Sequence, residues 1–490
     1  MTLGATQIQA IVDATKTPTA EQVRVIEAPR RPLLVVAGAG SGKTETMSMR
    51  VLWLLANHPD LTPASILGLT FTRKAAGELG DRLRERIRLL SRELPQMRER
   101  LDEDPVTLTY NSFAERIVSE HGMRIGIDPD FSMLSEAGAL DMMTQIVEAW
   151  PTDLDDDLSP AGVVGRILHL AGEIAEHGYT VEGARQALEG FEWELEIVGD
   201  SNKAARDLHQ ANQRRIAFLG PIEAYQKRKR EMGLLDFSDQ LVLATRIVRE
   251  VPSVRAALRE EFRAVLLDEF QDTSVIQMEL LSTLFGDHAV TAVGDPNQAI
   301  YGWRGASASS LETFLERFQT GAPEEGQTLT LSTAWRNDVS ILEAANRVAE
   351  PLREVASYQE GKEKLNAQSP VLVPRPGAGR GVVEIAYPVA YEDALAATVD
   401  FVRRVRSRSR KDGSRRSVAV LSRRRKDFPL IDAALREAGI PTEIVGLGGL
   451  LDQPAVQDVR AALELGYDVA ASPWLARLLA GIDLGAADLM

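Results

Sequence analysis

The strongest chemical signal in the chain is a run of small residues between an apolar segment and a helical stretch. Leu33-Leu34-Val35-Val36 leads into Ala37-Gly38-Ala39-Gly40-Ser41-Gly42-Lys43-Thr44. Glycines let backbone N–H groups turn inward onto phosphate oxygens, and the following helix N-terminus adds partial positive charge. In that setting Lys43 can reach the β and γ phosphates of a bound nucleotide, and Thr44 can hold Mg²⁺. Ala37 stands where the general pattern has its first glycine.

A second candidate lies far downstream. Ala264-Val265-Leu266-Leu267 runs into Asp268-Glu269. A parallel strand ending in two acids places them at the carboxyl edge of a sheet, where a phosphate loop also lies. Asp268 is then the Mg²⁺ carboxylate, and Glu269 orients or deprotonates an attacking water. The plainer alternative is a helix N-cap, which also favours acids after a strand.

These groups need a scaffold that brings strand ends together. Short apolar runs recur at Leu33 to Val36, Ile66 to Leu69, Val265 to Leu267, Ala289 to Val293, Leu329 to Leu331 and Val418 to Leu421. Each reads as a buried strand. Long segments of helical periodicity separate them, which predicts an α/β fold with parallel sheets covered on both faces. From about Glu120 to Met232 the pattern is helical, broken by the Pro- and Asp-rich segment Pro151 to Pro160. It reads as a helical insertion within one α/β domain. Gly321 to Gln327 and Val371 to Gly381 read as loops.

Composition sets outer bounds. The chain has 490 residues and no cysteine, which excludes disulfides and thiolate metal sites and fits a reducing cytoplasm. No signal-peptide pattern opens it, and no stretch approaches the roughly 18 apolar residues of a membrane span. The net charge of −15 argues against nucleic acid only as an average, because a groove is local. Between Arg403 and Lys426, twelve Arg or Lys stand against one acid, Asp412. That run is either a nucleic-acid contact or a solvated face.

Three further strings make the pattern specific. Asp268-Glu269 continues as Phe270-Gln271-Asp272-Thr273. Downstream stands Gly294-Asp295-Pro296-Asn297-Gln298-Ala299-Ile300-Tyr301-Gly302-Trp303-Arg304-Gly305-Ala306, and upstream Leu69-Thr70-Phe71-Thr72-Arg73-Lys74-Ala75-Ala76. With these, roughly Pro18 to Val459 resembles the superfamily 1A DNA helicases of the UvrD, Rep and PcrA type. The run from Gly302 to Ala308 and Leu235-Asp236-Phe237 also resemble actinobacterial helicase–nuclease subunits of the AdnB type.

The resemblance implies a P-loop NTPase (RecA-like), multi-domain architecture. It assigns a tail to 1–17 and a first motor domain to 18–120 plus 233–325. It gives 121–232 to the helical insertion, 326–450 to part of a second motor domain, and 451–490 to the start of a second insertion. Gln22 would read the adenine edge. Gln298 would sense the γ-phosphate. Trp335 would stack on adenine, and Arg336 would meet the γ-phosphate. Phe71, Arg73, Tyr110, Asn111, Tyr301 and Trp303 would face DNA. Arg73 replaces the usual Asn, and Asn111 the usual His. Asp236-Phe237-Ser238-Asp239 matches the return from the insertion.

The implied activity is ATP-dependent 3′–5′ translocation on single-stranded DNA and at duplex junctions, in repair or recombination, with a second helicase or nuclease subunit as a candidate partner. A Gly-Leu-Glu-type segment and a last arginine at the ATP cleft are not found before Met490, so nucleotide binding is expected to survive better than turnover. Two other readings compete. A different phosphate-loop enzyme explains Lys43 and Glu269 but not the Gln298 to Arg304 run. A non-enzymatic subunit that completes its cleft with another chain explains the missing motifs.

Overall fold

In the computed structural model the described residues are 2–128, 130–152, 154, 158–199, 202–302, 306, 310–319, 326–357, 368–408, 413–445, 454–467, 475 and 477–478. Six short strands form one parallel sheet: β1 (Leu33–Ala37), β2 (Ile66–Thr70), β3 (Val106–Thr109), β4 (Ala264–Leu267), β5 (Val290–Gly294) and β6 (Gln327–Leu331). Their spatial order is β3-β2-β4-β5-β1-β6. The four central strands carry almost unbroken apolar runs because both sheet faces are covered.

Side chains alternate across a strand, so each strand feeds two cores. Leu34, Val36, Leu67, Leu69, Val265 and Leu267 enter one core, with Phe113, Phe262, Phe270 and Phe285. Leu33, Val35, Ile66, Ala264 and Leu266 enter the other, with Leu52, Leu55, Leu83 and Ile87. The sheet is therefore a middle layer, and its strand ends form a common edge.

Threonines start the helices that leave this edge. Thr72 caps α1 (Arg73–Glu93) through Ala75, and Thr109 caps α2 (Tyr110–His121) through Ser112. Each hydroxyl accepts from a backbone N–H that has no partner within its helix.

The helical insertion has its own core. Met143, Val164, Ile167, Leu219 and Ile222 are buried in it. A two-residue parallel pairing of Ser132–Met133 with Leu234–Leu235 ties its entry to its exit. At the exit, buried Lys229 pairs with Asp236 at 2.5 Å and Asp239 at 2.6 Å and lies over the Tyr225 ring. Asp236 also caps the helix Phe237–Glu250. The Asp-Phe-Ser-Asp string thus fixes the return by charge as well as by capping.

Several elements differ from expectation. Val106–Thr109 forms an edge strand although its four residues are only half-buried. Val418–Leu421 forms no strand, and Leu421 is 93% exposed. An apolar run becomes a strand only where a neighbour accepts its ladder hydrogen bonds. Within the expected loop 371–381, Val373–Pro374 pairs with Thr333–Ala334.

The chain divides into two compact units, Met1–Val382 and Val383–Met490. The first unit runs past the expected boundary at 325/326, because β6 hydrogen-bonds along the whole of β1. The second unit holds helices Tyr391–Ser407, Phe428–Glu437 and Pro454–Tyr467, with Val402, Leu435 and Ile440 in a small core. Among the described residues of the basic run, the arginines and Lys426 are mostly exposed. Arg403, Arg404 and Arg424 pair with carboxylates of the same unit.

Candidate nucleotide cleft and its aromatic neighbour

The phosphate loop follows β1 directly. Gly40 and Gly42 adopt left-handed backbone (φ 74° and 84°), and Gly42 caps α3 (Lys43–Asn57). Space forbids other residues as well. A Cβ on Gly40 would lie 2.9 Å from the Cβ of Arg336. The segment after β6 closes over the loop, with the Trp335 N–H donating to the Gly40 carbonyl at 2.8 Å.

A cleft of about 480 Å³ opens here, lined by residues 39 to 45 and by Arg82, Glu269, Gln298, Trp335 and Arg336. Gln22 approaches from the side, its Nε2 3.1 Å from where a Gly42 Cβ would stand. The same glutamine is a capping residue, since its Oε1 accepts from the Thr19 N–H at 2.9 Å. One ring of residues therefore holds the expected adenine, phosphate and arginine positions.

Lys43 Nζ lies 3.0 Å from Glu269 Oε2. Glu269 is the one non-glycine among the described residues with left-handed backbone (φ 49°), at a cost on the order of 1 kcal/mol. That turn aims its carboxylate into the cleft while Asp268 stays at the strand end. Burial, then the adjacent Glu269 charge, pushes the Asp268 carboxyl up to about 6. Asp272 is likewise pushed up to about 6, first by burial and then by Glu269. A divalent cation would relieve this clustered negative charge.

Ser41 Oγ is buried in the loop without a hydrogen-bond partner. A hydroxyl inside a glycine-bent loop fits a phosphate oxygen. Thr44 and Asp268 supply the hard oxygen donors that suit Mg²⁺.

A second pocket, of about 410 Å³, adjoins the cleft and shares Glu269 and Gln298 with it. Phe71 and Tyr301 meet there with ring centroids 4.8 Å apart. Arg73 lies exposed at the start of α1, close in sequence to this pocket. Trp303 lies outside the described residues.

Two expected DNA contacts are placed otherwise. Tyr110 is 3% exposed, and its hydroxyl donates to the Asp268 carbonyl at 3.0 Å. It cannot stack on a base from that position; it props the acidic turn from beneath. Burial raises its hydroxyl pKa further. Asn111 accepts from Gln277 Nε2 at 3.1 Å, so its side chain is turned to the helix Val275–Phe285.

Sequence reasoning overlooked three residues. Arg82, on α1, lines the nucleotide cleft. Arg50, on α3, is 1% exposed and donates to the Val25, Ile26, Ala28 and Pro29 carbonyls and to Thr291 Oγ1. It ties the helix bearing Gln22 (Ala20–Ile26) to the helix bearing Lys43. Gln271 is 2% exposed and bonds to Glu269, Asp272 and Asp295. Its signal was its place inside an acidic string after a buried strand, where little water can reach.

Among the described residues no helix is long and apolar enough to cross a membrane, and no group of three His, Asp or Glu forms a metal cluster.

DNA helicase II of Escherichia coli (strain K12) is 27% identical over 447 residues, covering 91% of this chain and 54% of the helicase. The ATP-dependent DNA helicase PcrA of Staphylococcus epidermidis is 25% identical over 451 residues, covering 92% and 54%. The chain thus spans about half the length of the curated relatives it matches. The family model of the UvrD/REP helicase N-terminal domain matches residues 18–319, and the chain belongs to that family.

Proposed function

We propose that this chain is the ATP-binding front part of a DNA helicase motor that moves 3′ to 5′ along single-stranded DNA. The observation that carries the reading is the sharing of Glu269 and Gln298 by the phosphate-loop cleft and the Phe71–Tyr301 pocket. One pocket offers the groups of nucleotide hydrolysis. The other offers a pair of neighbouring aromatic rings, the kind of side chain on which sequence-independent binding of single strands relies.

In this reading the first motor domain is residues 18–120 and 233 through the end of β6, 121–232 is the helical insertion, and the residues after β6 up to 450 are part of the second motor domain. The loop 38–44 grips the phosphate tail of ATP, and Gln22 and Trp335 orient its base. Thr44 and Asp268 would hold Mg²⁺, which would supply positive charge against the charge developing on the phosphates. Glu269 orients water and accepts its proton, while Lys43, Arg82 and Arg336 supply positive charge around the phosphates. Phe71 and Tyr301 hold bases, and Arg73 a phosphate. Relatives named DNA helicase support this assignment, and the setting it points to is cytoplasmic DNA repair or recombination.

The test is the steady-state ATPase rate with and without single-stranded DNA, beside Lys43→Ala and Glu269→Gln. Nucleotide binding that Lys43→Ala abolishes is expected, and whatever DNA-stimulated turnover the chain shows should be lost in both variants. Nucleotide binding that Lys43→Ala leaves untouched would sink the assignment of the cleft.

A further inference from the structure

We propose that Gln271 is the positioning residue that couples the nucleotide cleft to the aromatic pocket. The inference rests on the functional reading above and adds the element through which the two sites communicate.

Gln271 sits between two strand ends. Its Nε2 donates to Glu269 Oε2 at 2.9 Å and to Asp272 Oδ2 at 3.1 Å, both on the turn after β4. Its Oε1 accepts from the Asp295 N–H at 3.1 Å, at the end of β5. The amide orientation follows from its partners, because turning it over would set its oxygen against two carboxylates and its NH₂ against an N–H. No other side chain of this size offers two donors on one side and an acceptor on the other. Gly294 makes the approach possible, since a Cβ there would lie 2.7 Å from Gln271 Oε1.

Beyond Asp295 the connection continues. Asp295 Oδ2 accepts from Gln298 Nε2 at 2.7 Å, and Oδ1 accepts from Ser369 Oγ at 2.6 Å. Glu269, Gln271 and Gln298 all line the Phe71–Tyr301 pocket. At the near end, Lys43 Nζ and Gln271 Nε2 share one oxygen, Glu269 Oε2. Phosphates that draw Lys43 change the load on that oxygen. Gln271 is too buried for water to replace a lost bond, so the amide must follow the carboxylate and carry the Asp295 backbone with it.

Coupling of this kind is reciprocal between bound ligands and is read in binding alone. The experiment is anisotropy of a fluorescein-labelled oligothymidylate with the full chain, with and without Mg²⁺ and a non-hydrolysable ATP analogue. For the unaltered chain the analogue is expected to shift DNA affinity by about fivefold or more, the lower end of ordinary allosteric coupling. Gln271→Met keeps the side-chain length and removes all three bonds. With each separate affinity measured alongside, the shift, taken as the ratio of DNA affinities with and without the analogue, is expected to collapse below about twofold.

Gly294→Ala presses on the same amide from the other side and should give the same collapse, which serves if the Met variant melts early. A Gln271→Met chain that binds both ligands and keeps the full shift overturns the proposal, as does an unaltered chain that binds both ligands with no shift. An unaltered chain that binds neither ligand points instead to failure of the underlying reading, a distinct result.

Discussion

Lys43 Nζ and Glu269 Oε2 stand 3.0 Å apart, so the cation and the carboxylate of the proposed reaction neutralise each other across the cleft. A triphosphate must compete with that carboxylate for one ammonium group. Glu269→Gln removes both the competitor and a negative charge facing the phosphates. Its affinity for a non-hydrolysable ATP analogue should rise about tenfold, or ~1.4 kcal/mol, while turnover falls. Lys43→Ala should lower that affinity by at least as much. Isothermal titration with the analogue and Mg²⁺ checks both; weaker binding in Glu269→Gln would show that the pair does not compete with nucleotide.

Arg50 carries a different kind of consequence. It is buried, and its guanidinium satisfies four backbone carbonyls and a threonine hydroxyl. Arg50→Met fills similar space but leaves those acceptors dry. A loss of about 3 kcal/mol in unfolding free energy is expected, since each orphaned buried group costs roughly 1–3 kcal/mol and relaxation recovers some of it. Urea unfolding measures it. A loss under about 0.5 kcal/mol, the range of ordinary surface substitutions, would mean that water reaches the carbonyls.

What could be read from the sequence depended on how local the constraint was. The phosphate loop was legible because its chemistry needs contiguous residues on one turn. The central strands were legible because burial on both faces leaves an unbroken apolar run. Edge strand Val106–Thr109 has the half-polar composition of a strand with one open side, and Val418–Leu421 is apolar without a ladder partner. Arg50 and Gln271 escaped notice for a related reason. Their partners lie as far as 241 and 24 residues away, and no short pattern encodes such pairs. Tyr110 was misplaced because its motif position says nothing of which way the ring turns.

The two tyrosines near the acidic turn can be told apart by binding. Tyr301 lines the aromatic pocket beside Phe71, whereas Tyr110 props Asp268 from below. Tyr301→Ala should weaken single-stranded DNA binding by roughly 1–3 kcal/mol at fixed salt, the ordinary worth of one stacked base. Tyr110→Phe should leave DNA affinity unchanged and lower stability by about 1 kcal/mol through the lost hydrogen bond. Equal effects on DNA binding would contradict the placement of Tyr110.

Glu176 links the helical insertion to the motor domain and should make stability depend on pH. It ends the helix Pro160–Glu176, and Ser238 Oγ donates to its Oε1 at 3.5 Å while its Oε2 is buried without a partner. Burial raises its pKa above the ordinary 4.5; the Ser274 and Ser238 hydroxyls and His177 oppose the shift, and Asp236 adds to it. The helix C-terminus also disfavours a negative charge. A carboxyl with a raised folded-state pKa imposes no penalty while it is protonated in both folded and unfolded chains. As pH climbs from the unfolded value through the folded one, the unfolded chain ionises first and stability is lost. Glu176→Gln keeps an acceptor for Ser238 and removes the charge. Its melting temperature should match that of the unaltered chain below about pH 4.5, rise above it as the pH climbs from the unfolded to the folded pKa, and keep a constant lead beyond that. A difference already present at the lowest pH and constant above it would assign the effect to packing and not to ionisation.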